Sequence, residues 1–97
     1  MGSGWWEFEP QHALGKRLDI PGASSTDGTS VVQWIASSTI AQRFKLVDNG
    51  DSTYGVEPQC AADKRLDVSG AGAANGTRVQ LWSSSGSSNQ KWKFYQQ

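Results

Sequence analysis

Along the segment from position 67 to 90 the carboxylate of Asp67, the indole of Trp82 and the side-chain amides of Gln80, Asn89 and Gln90 stand out. A flat aromatic face beside an acid and several amides suits a polyhydroxylated ligand. The C–H face of a pyranose packs on an aromatic ring, and its hydroxyls need both donors and acceptors. Such ligands are neutral and well hydrated, so a site of this kind is shallow and weak alone, and it gains by being repeated. A thinner set stands 48 positions earlier, where Asp19, Trp34 and Gln42 match Asp67, Trp82 and Gln90. There Val32 occupies the place of Gln80 and Ala41 that of Asn89, which leaves the first set altered in strength or specificity.

The same offset runs through the chain. Lys16-Arg17-Leu18-Asp19 returns as Lys64-Arg65-Leu66-Asp67, and Glu9-Pro10-Gln11 as Glu57-Pro58-Gln59. Laying Trp6–Asn49 over Tyr54–Gln97 needs no gap and gives 17 identities in 44 positions. Self-similarity at a fixed period marks a repeat architecture, in which one unit does not bury its apolar face alone. The organisation expected is a leader over residues 1–4, one repeat over 5–49 and a second over 50–97. The Met1-Gly2-Ser3-Gly4 leader reads as a cloning scar rather than a targeting signal, and compartment is not readable from it.

Short alternating stretches separated by Gly, Ser, Asn and Asp clusters predict an all-β chain with four short strands per repeat. In the first copy they are Trp6–Gln11, Arg17–Ile20, Val31–Trp34 and Gln42–Val47. In the second they are Tyr54–Gln59, Arg65–Val68, Val79–Trp82 and Gln90–Tyr95. Period-2 alternation puts Leu18, Ile20, Leu66, Val68, Val79 and Leu81 inward, and turns Asp67, Gln80 and Trp82 to solvent. Trp5 and Trp6 read as a strand start packing into the barrel. Gln33 falls inward beside Val31 if register is kept, which is costly unless it is bonded. Asn49-Gly50 joins the copies as a tight turn. The loops Pro21–Ser30 and Ser69–Arg78 are long enough to shape a surface pocket.

This pattern resembles the ricin-type β-trefoil lectin family, also seen as carbohydrate-binding modules on glycosidases. Its Gln-x-Trp triplet is matched by Gln90-Lys91-Trp92, and the Leu-Asp-Val/Ile strand and the small-residue loop after it also fit. The resemblance implies a β-trefoil and a sugar site built from Asp67, Gln80, Trp82, Asn89 and Gln90, with Asp19, Trp34 and Gln42 as the second set and Trp92 as core. Bonding of neighbouring loop amides is the alternative for Asp19 and Asp67, and Gln42 and Gln90 also read as partly structural, tying the loop to the strand. Galactose-type sugars, xylan and β-glucan are the ligand classes it implies. The family closes three repeats around a pseudo-threefold axis, and this chain holds two. A homo-oligomer is therefore expected, a trimer being the smallest closed set. Its symmetric form has every chain giving one copy to each of two trefoils, and the tidy length reads as an engineered or fragment chain.

Other functions are bounded by composition. Nine basic and nine acidic residues cancel, so the charge shows no footprint for nucleic acid or for an anionic membrane. No run approaches the roughly 18 apolar residues of a membrane span. Cys60 is alone, which excludes an intrachain disulfide or a cysteine-based zinc site, and it reads as a small buried hydrophobe. His12 aligns with Cys60, so neither a metal nor another cofactor is expected. Glu9 and Glu57 read as solvated strand residues, a second glucan contact set being the alternative, and Lys16, Arg17, Lys64 and Arg65 as solvated flanks. A glycosidase needs two carboxylates roughly 5–10 Å apart in a cleft, whereas Asp19 and Asp67 belong to separate copies. A non-enzymatic sugar-binding module is the leading reading, with a protein-interaction or assembly scaffold as the alternative.

Overall fold

The computed structural model describes residues 4–96, so all but Gly4 of the expected leader lies outside the described residues. Seven strands follow in order: β1 Trp5–Trp6, β2 Lys16–Asp19, β3 Val32–Ile35, β4 Phe44–Asp48, β5 Tyr54–Pro58, β6 Lys64–Val68 and β7 Val79–Ser83. Short 3₁₀ turns, among them Ile40–Gln42 and Ser88–Gln90, connect them, and no α-helix occurs among the described residues. The all-β prediction holds.

Two antiparallel hairpins, β2-β3 and β6-β7, carry the Lys-Arg-Leu-Asp segments, and a three-stranded sheet ordered β1-β4-β5 ties the halves together. The hairpin registers are equivalent at an offset of 48, with Leu18 opposite Gln33 and Leu66 opposite Leu81. Register is therefore kept, and Gln33 does point to the core side. It is nevertheless exposed, because no described residue covers that face. The burial cost expected of an inward amide does not arise.

Ile20, Phe44, Val56, Ala61, Leu66 and Leu81 form the core, with Phe8, Leu18, Val31, Val79 and Trp92 packed against it. Trp92 also donates its indole N–H to the Leu66 carbonyl at 3.2 Å, as its core assignment implies. Beside this core lies an apolar groove of about 630 Å³, lined by Phe8, Leu18, Val31, Leu66, Val79 and Trp92 among others. Trp5 and Trp6, expected inside the barrel, are each more than a third exposed. Strand β1 is an edge, and only one side of it meets β4.

The two ends of the expected strand pattern also differ. Residues 90–95 form no strand; Trp92 alone bridges Tyr54, and Gln90 sits in a 3₁₀ turn. The first strand stops at Trp6 rather than Gln11. Strand β4 shows why. It is a ladder because it has neighbours on both sides, Trp5 and Glu57 both facing Lys45. A lone extended segment has nowhere to send its backbone N–H and C=O groups, so it does not become a strand.

The join at Asn49-Gly50 is a closed hairpin turn, with Gly50 at φ 82°, Asn49 N–H donating to Thr53 O at 3.1 Å and Gly50 N–H to Asp48 Oδ1 at 2.8 Å. Beyond it β4 and β5 pair from Asp48↔Tyr54 to Phe44↔Pro58. The two copies of this chain are packed on each other, which differs from the symmetric arrangement in which each copy joins a separate trefoil.

The glutamates of the repeated Glu-Pro-Gln segments clamp turns, and of the two expected as solvated Glu9 is exposed while Glu57 is not. Glu57 is buried; its carboxylate accepts from Asp63 N–H at 2.6 Å and pairs with Lys45 at 3.1 Å and Arg65 at 3.3 Å. Glu9 repeats the clamp on Gly15 N–H at 3.0 Å and Arg17 at 2.8 Å. Of the basic residues expected as solvated flanks, Arg17 and Arg65 are tied down by these glutamates and Lys64 pairs with Asp27 at 2.7 Å, while Lys16 is exposed as expected. Burial acts to raise the Glu57 pKa, but the Asp63 N–H and the cations of Lys45 and Arg65 outweigh it and hold the carboxyl below its ordinary value. A depressed pKa gives stability that is fully present above the unfolded value and is lost as pH falls through the folded one. Glu57→Gln is thus expected to lower stability at pH 7 by about 1–2 kcal/mol. It should also flatten the acid limb of urea midpoints measured between about pH 5 and 3.

Candidate functional site

The β6-β7 hairpin sets Asp67 directly opposite Gln80, two residues before Trp82. The 3₁₀ turn Ser88–Gln90 then brings Asn89 and Gln90 back over the end of β6. Asp67 and Gln80 were expected to face solvent beside Trp82. Instead they are buried, 4% and 6% exposed, because the returning turn covers them, while Trp82 stays 43% exposed. The set forms a cavity of about 530 Å³ with Asp67 and Gln80 at its floor, and Trp82, Asn89 and Arg78 in its wall.

Three amides hold the acid. Asp67 Oδ1 accepts from Gln80 Nε2 at 3.2 Å; Oδ2 accepts from Gln90 Nε2 at 2.9 Å and Asn89 Nδ2 at 3.1 Å. A carboxylate oxygen takes two hydrogen bonds, so Oδ1 keeps one acceptor position. Gln90 has no such spare capacity on its nitrogen. Its second N–H goes to Ser83 O at 2.9 Å, its oxygen accepts from Ser85 N–H at 2.9 Å, and it lies outside the cavity wall at 3% exposure. Gln90 thus ties the turn to the hairpin, the structural share of its expected role, and orients Asp67. Arg78 was missed. Its Nη2 donates to Gln80 Oε1 at 2.8 Å, which fixes the Gln80 nitrogen toward Asp67. No spacing pattern separates Arg78 from an ordinary loop cation.

The first copy builds a sparser version. Asp19 accepts from Gln42 Nε2 at 2.9 Å, and Gln42 repeats the remaining bonds of Gln90, to Ile35 O at 2.9 Å and from Ser37 N–H at 2.9 Å. Gln42 is likewise fully buried and supporting. Because Val32 and Ala41 replace two amides, Asp19 has this one side-chain partner. The one buried side-chain polar atom without a partner among the described residues is Gln59 Oε1. The second Asp19 oxygen thus reaches the surface of its cavity, about 630 Å³ and walled by Val32, Trp34 and Ala41. Trp34 is 62% exposed, more than Trp82.

Trp82 owes its burial to a loop of the other copy. Asp27 Oδ1 accepts from Lys64 Nζ at 2.7 Å and Asp27 Oδ2 from Ser83 Oγ at 2.8 Å. A Cβ at Gly28, where φ is 93°, would stand 3.9 Å from the Trp82 ring, so glycine brings the backbone close to the indole. Cys60 lies apart from both cavities. It is half-buried near Ser24 O, and burial pushes its thiol pKa up, as for an inert thiol.

The profile of the ricin-type beta-trefoil lectin domain-like family matches residues 1–82. The chain belongs to that family. Among solved structures, the lectin-like domain is similar to ThreeFoil, a designed 3-fold symmetric protein. The two share 36% identity with a TM-score of 0.89, over 96% of this chain and 65% of that one. It is also similar to 1,3Gal43A, an exo-beta-1,3-galactanase from Clostridium thermocellum, at 29% identity and a TM-score of 0.86. That match covers 96% of this chain and 20% of the galactanase. A mosquitocidal holotoxin shares the fold at 13% identity with a TM-score of 0.87, over 100% of this chain and 12% of the toxin. The chain thus spans just under two thirds of the designed protein and a fifth or less of the other two. No curated protein matches it.

Proposed function

We propose that the chain is a non-enzymatic carbohydrate-binding module with two unequal sites, a full one at Trp82 and a sparser one at Trp34. The observation that carries this reading is the Asp67 carboxylate, fixed by three amides, with an acceptor position left beside a half-exposed indole in one cavity. A sugar stacks on Trp82, gives a hydroxyl proton to Asp67 Oδ1 and is met by Asn89 and Gln80. Membership of a lectin-like family and likeness to an enzyme acting on galactan favour galactose-type ligands over xylan or β-glucan. A glycan array bearing all three classes tests it. Binding to galactose-terminated glycans is expected, and silence from a folded sample would leave the assembly-scaffold reading, which the designed relative favours.

In this reading residues 5–49 and 50–97 are two trefoil repeats, supported by the equivalent hairpins and by coverage of 65% of a threefold protein. The groove beside the core and the unpaired residues 93–96 leave a face that other copies cover. Three chains hold six repeats, enough for two closed sets. Since the two copies pack together, two chains keep that pairing and the third opens at the Asp48–Thr53 turn to lend one repeat to each. Light scattering on the 97-residue chain is expected to give a trimer mass; a stable monomer would end this arrangement.

A further inference from the structure

The contacts between the two copies specify what a third partner must present. Strand β4 of the first copy pairs with β5 of the second in the register Phe44↔Pro58, Lys45↔Glu57, Leu46↔Val56, and Lys45 makes an ion pair with Glu57 at 3.1 Å. Moved on by 48, the same register sets Trp92 against Pro10, Lys93 against Glu9, Phe94 against Phe8 and Tyr95 against Glu7. Among the described residues these segments form no backbone ladder within the chain, although the Phe94 ring lies 6.5 Å from that of Phe8, so the two edges already stand near each other. Lys93 forms no ion pair among the described residues, and Glu9 has the arginine and turn contacts of Glu57 but lacks its lysine. Each edge carries the charge the other is missing.

A second row of contacts follows the same rule. The first copy's loop lies along β7: Gly28 N–H donates to Leu81 O at 2.8 Å, Leu81 N–H to Thr29 O at 2.8 Å and Val31 N–H to Val79 O at 3.2 Å. Asp27 at the head of that loop holds Lys64 and Ser83, and Gly28 lies against Trp82. Among the described residues the equivalent loop of the second copy, Asn75-Gly76-Thr77, bonds to no strand, and the equivalent strand, β3 with Gln33 and Trp34, has no loop bonded over it. Offset by 48, Gly76 falls on Gln33, Asn75 on Lys16 and the Gly76 backbone on the Trp34 ring. This accounts for the difference in exposure, 62% at Trp34 against 43% at Trp82.

We propose that the Trp34 sugar site is completed by a second copy of this chain, whose Asn75–Val79 loop seats on β3 while its residues 92–96 add to residues 6–10 as an antiparallel strand. Strand addition satisfies an open ladder, and Lys93 meets Glu9 across it. The Trp82 site is complete within one chain, whereas the Trp34 site forms on assembly. Its role as a sugar site rests on the carbohydrate reading above; the pairing rests on backbone register and on the Lys93–Glu9 charge match.

Two measurements test it. In a Cys60→Ala background, Tyr95→Cys with Glu7→Cys is expected to form disulfide-linked dimers and trimers under mild oxidant. Tyr95→Cys with Gln11→Cys, four positions out of register, and Tyr95→Cys alone are not. An intrachain link, or equal linking in the shifted pair, overturns the pairing. Lys93→Glu opposes Glu9 and is expected to reduce the assembled mass while the fold is kept. In a Trp82→Ala background, Lys93→Glu should then weaken binding of a galactose-terminated oligosaccharide at least tenfold further. Unchanged binding overturns the completion of the Trp34 site. Cross-linking in register with no sugar bound by any variant would sink the carbohydrate reading and leave the pairing standing, so the two failures are distinct.

Discussion

Trp82→Ala is expected to lower affinity for galactose-terminated glycans about 30-fold per site while leaving the fold and the assembly mass unchanged. The indole lies beside Gly28 of the first copy's loop and lines the cavity that holds Asp67. Removing it takes away the stacking platform but neither the carboxylate nor its amides. Burying a sugar face on the ring, with the aromatic contribution beyond area, is worth about 2 kcal/mol, and each 1.4 kcal/mol is tenfold. On a surface bearing many glycans the loss is larger, because repeated weak sites multiply. The cost to stability stays small. The ring is close to half exposed, and the β6-β7 ladder does not depend on it. Isothermal titration against a soluble oligosaccharide gives the per-site value. Unaltered binding would refute Trp82 as the platform, and Trp34→Ala then measures the other site alone.

The second and third stretches of each copy and the tight turn at Asn49-Gly50 were legible because alternation, turn residues and the offset of 48 agree there. Leu18, Ile20, Leu66 and Leu81 point inward for that reason, and Trp82 outward. Legibility ended where a residue's surroundings come from a distant segment. Asp67 and Gln80 are on the solvent side of the hairpin, as alternation says, yet the turn Ser88–Gln90 folds back over them and buries them. Period-2 reasoning sorts two faces and says nothing of what later covers one of them. Gln33 shows the converse: it points to the core and stays exposed, because burial needs a neighbour as well as a direction. Gln42 and Gln90 were visible as conspicuous amides beside each acid. Their role as supports emerges from three satisfied hydrogen bonds apiece, two of them to backbone groups that carry no side-chain signal. The same holds for Glu57, whose main partner is the N–H of Asp63.

Asp67→Asn is the isosteric change with the largest expected effect on site and fold together. The new amide nitrogen must replace one carboxylate oxygen. In the Oδ2 position it opposes the donors of Gln90 and Asn89; in the Oδ1 position it opposes Gln80 Nε2. Gln80 cannot turn its oxygen inward without giving up Arg78, which donates to that oxygen at 2.8 Å. Either orientation therefore leaves buried donors facing each other, at about 2–3 kcal/mol of stability. The ligand also loses a charged acceptor, and a charge-assisted hydrogen bond is roughly twice as strong as a neutral one. An affinity loss on the order of 100-fold at this site is expected. Asp19→Asn is the contrasting case. Asp19 has one amide partner, so its asparagine can give its oxygen to Gln42 and turn its nitrogen to the cavity. Its stability cost should stay under about 1 kcal/mol, while a sugar hydroxyl that needs an acceptor there is still refused. Urea midpoints of the two variants separate these outcomes. Equal destabilisation would mean that the three-amide cradle around Asp67 is not what holds its carboxylate in place.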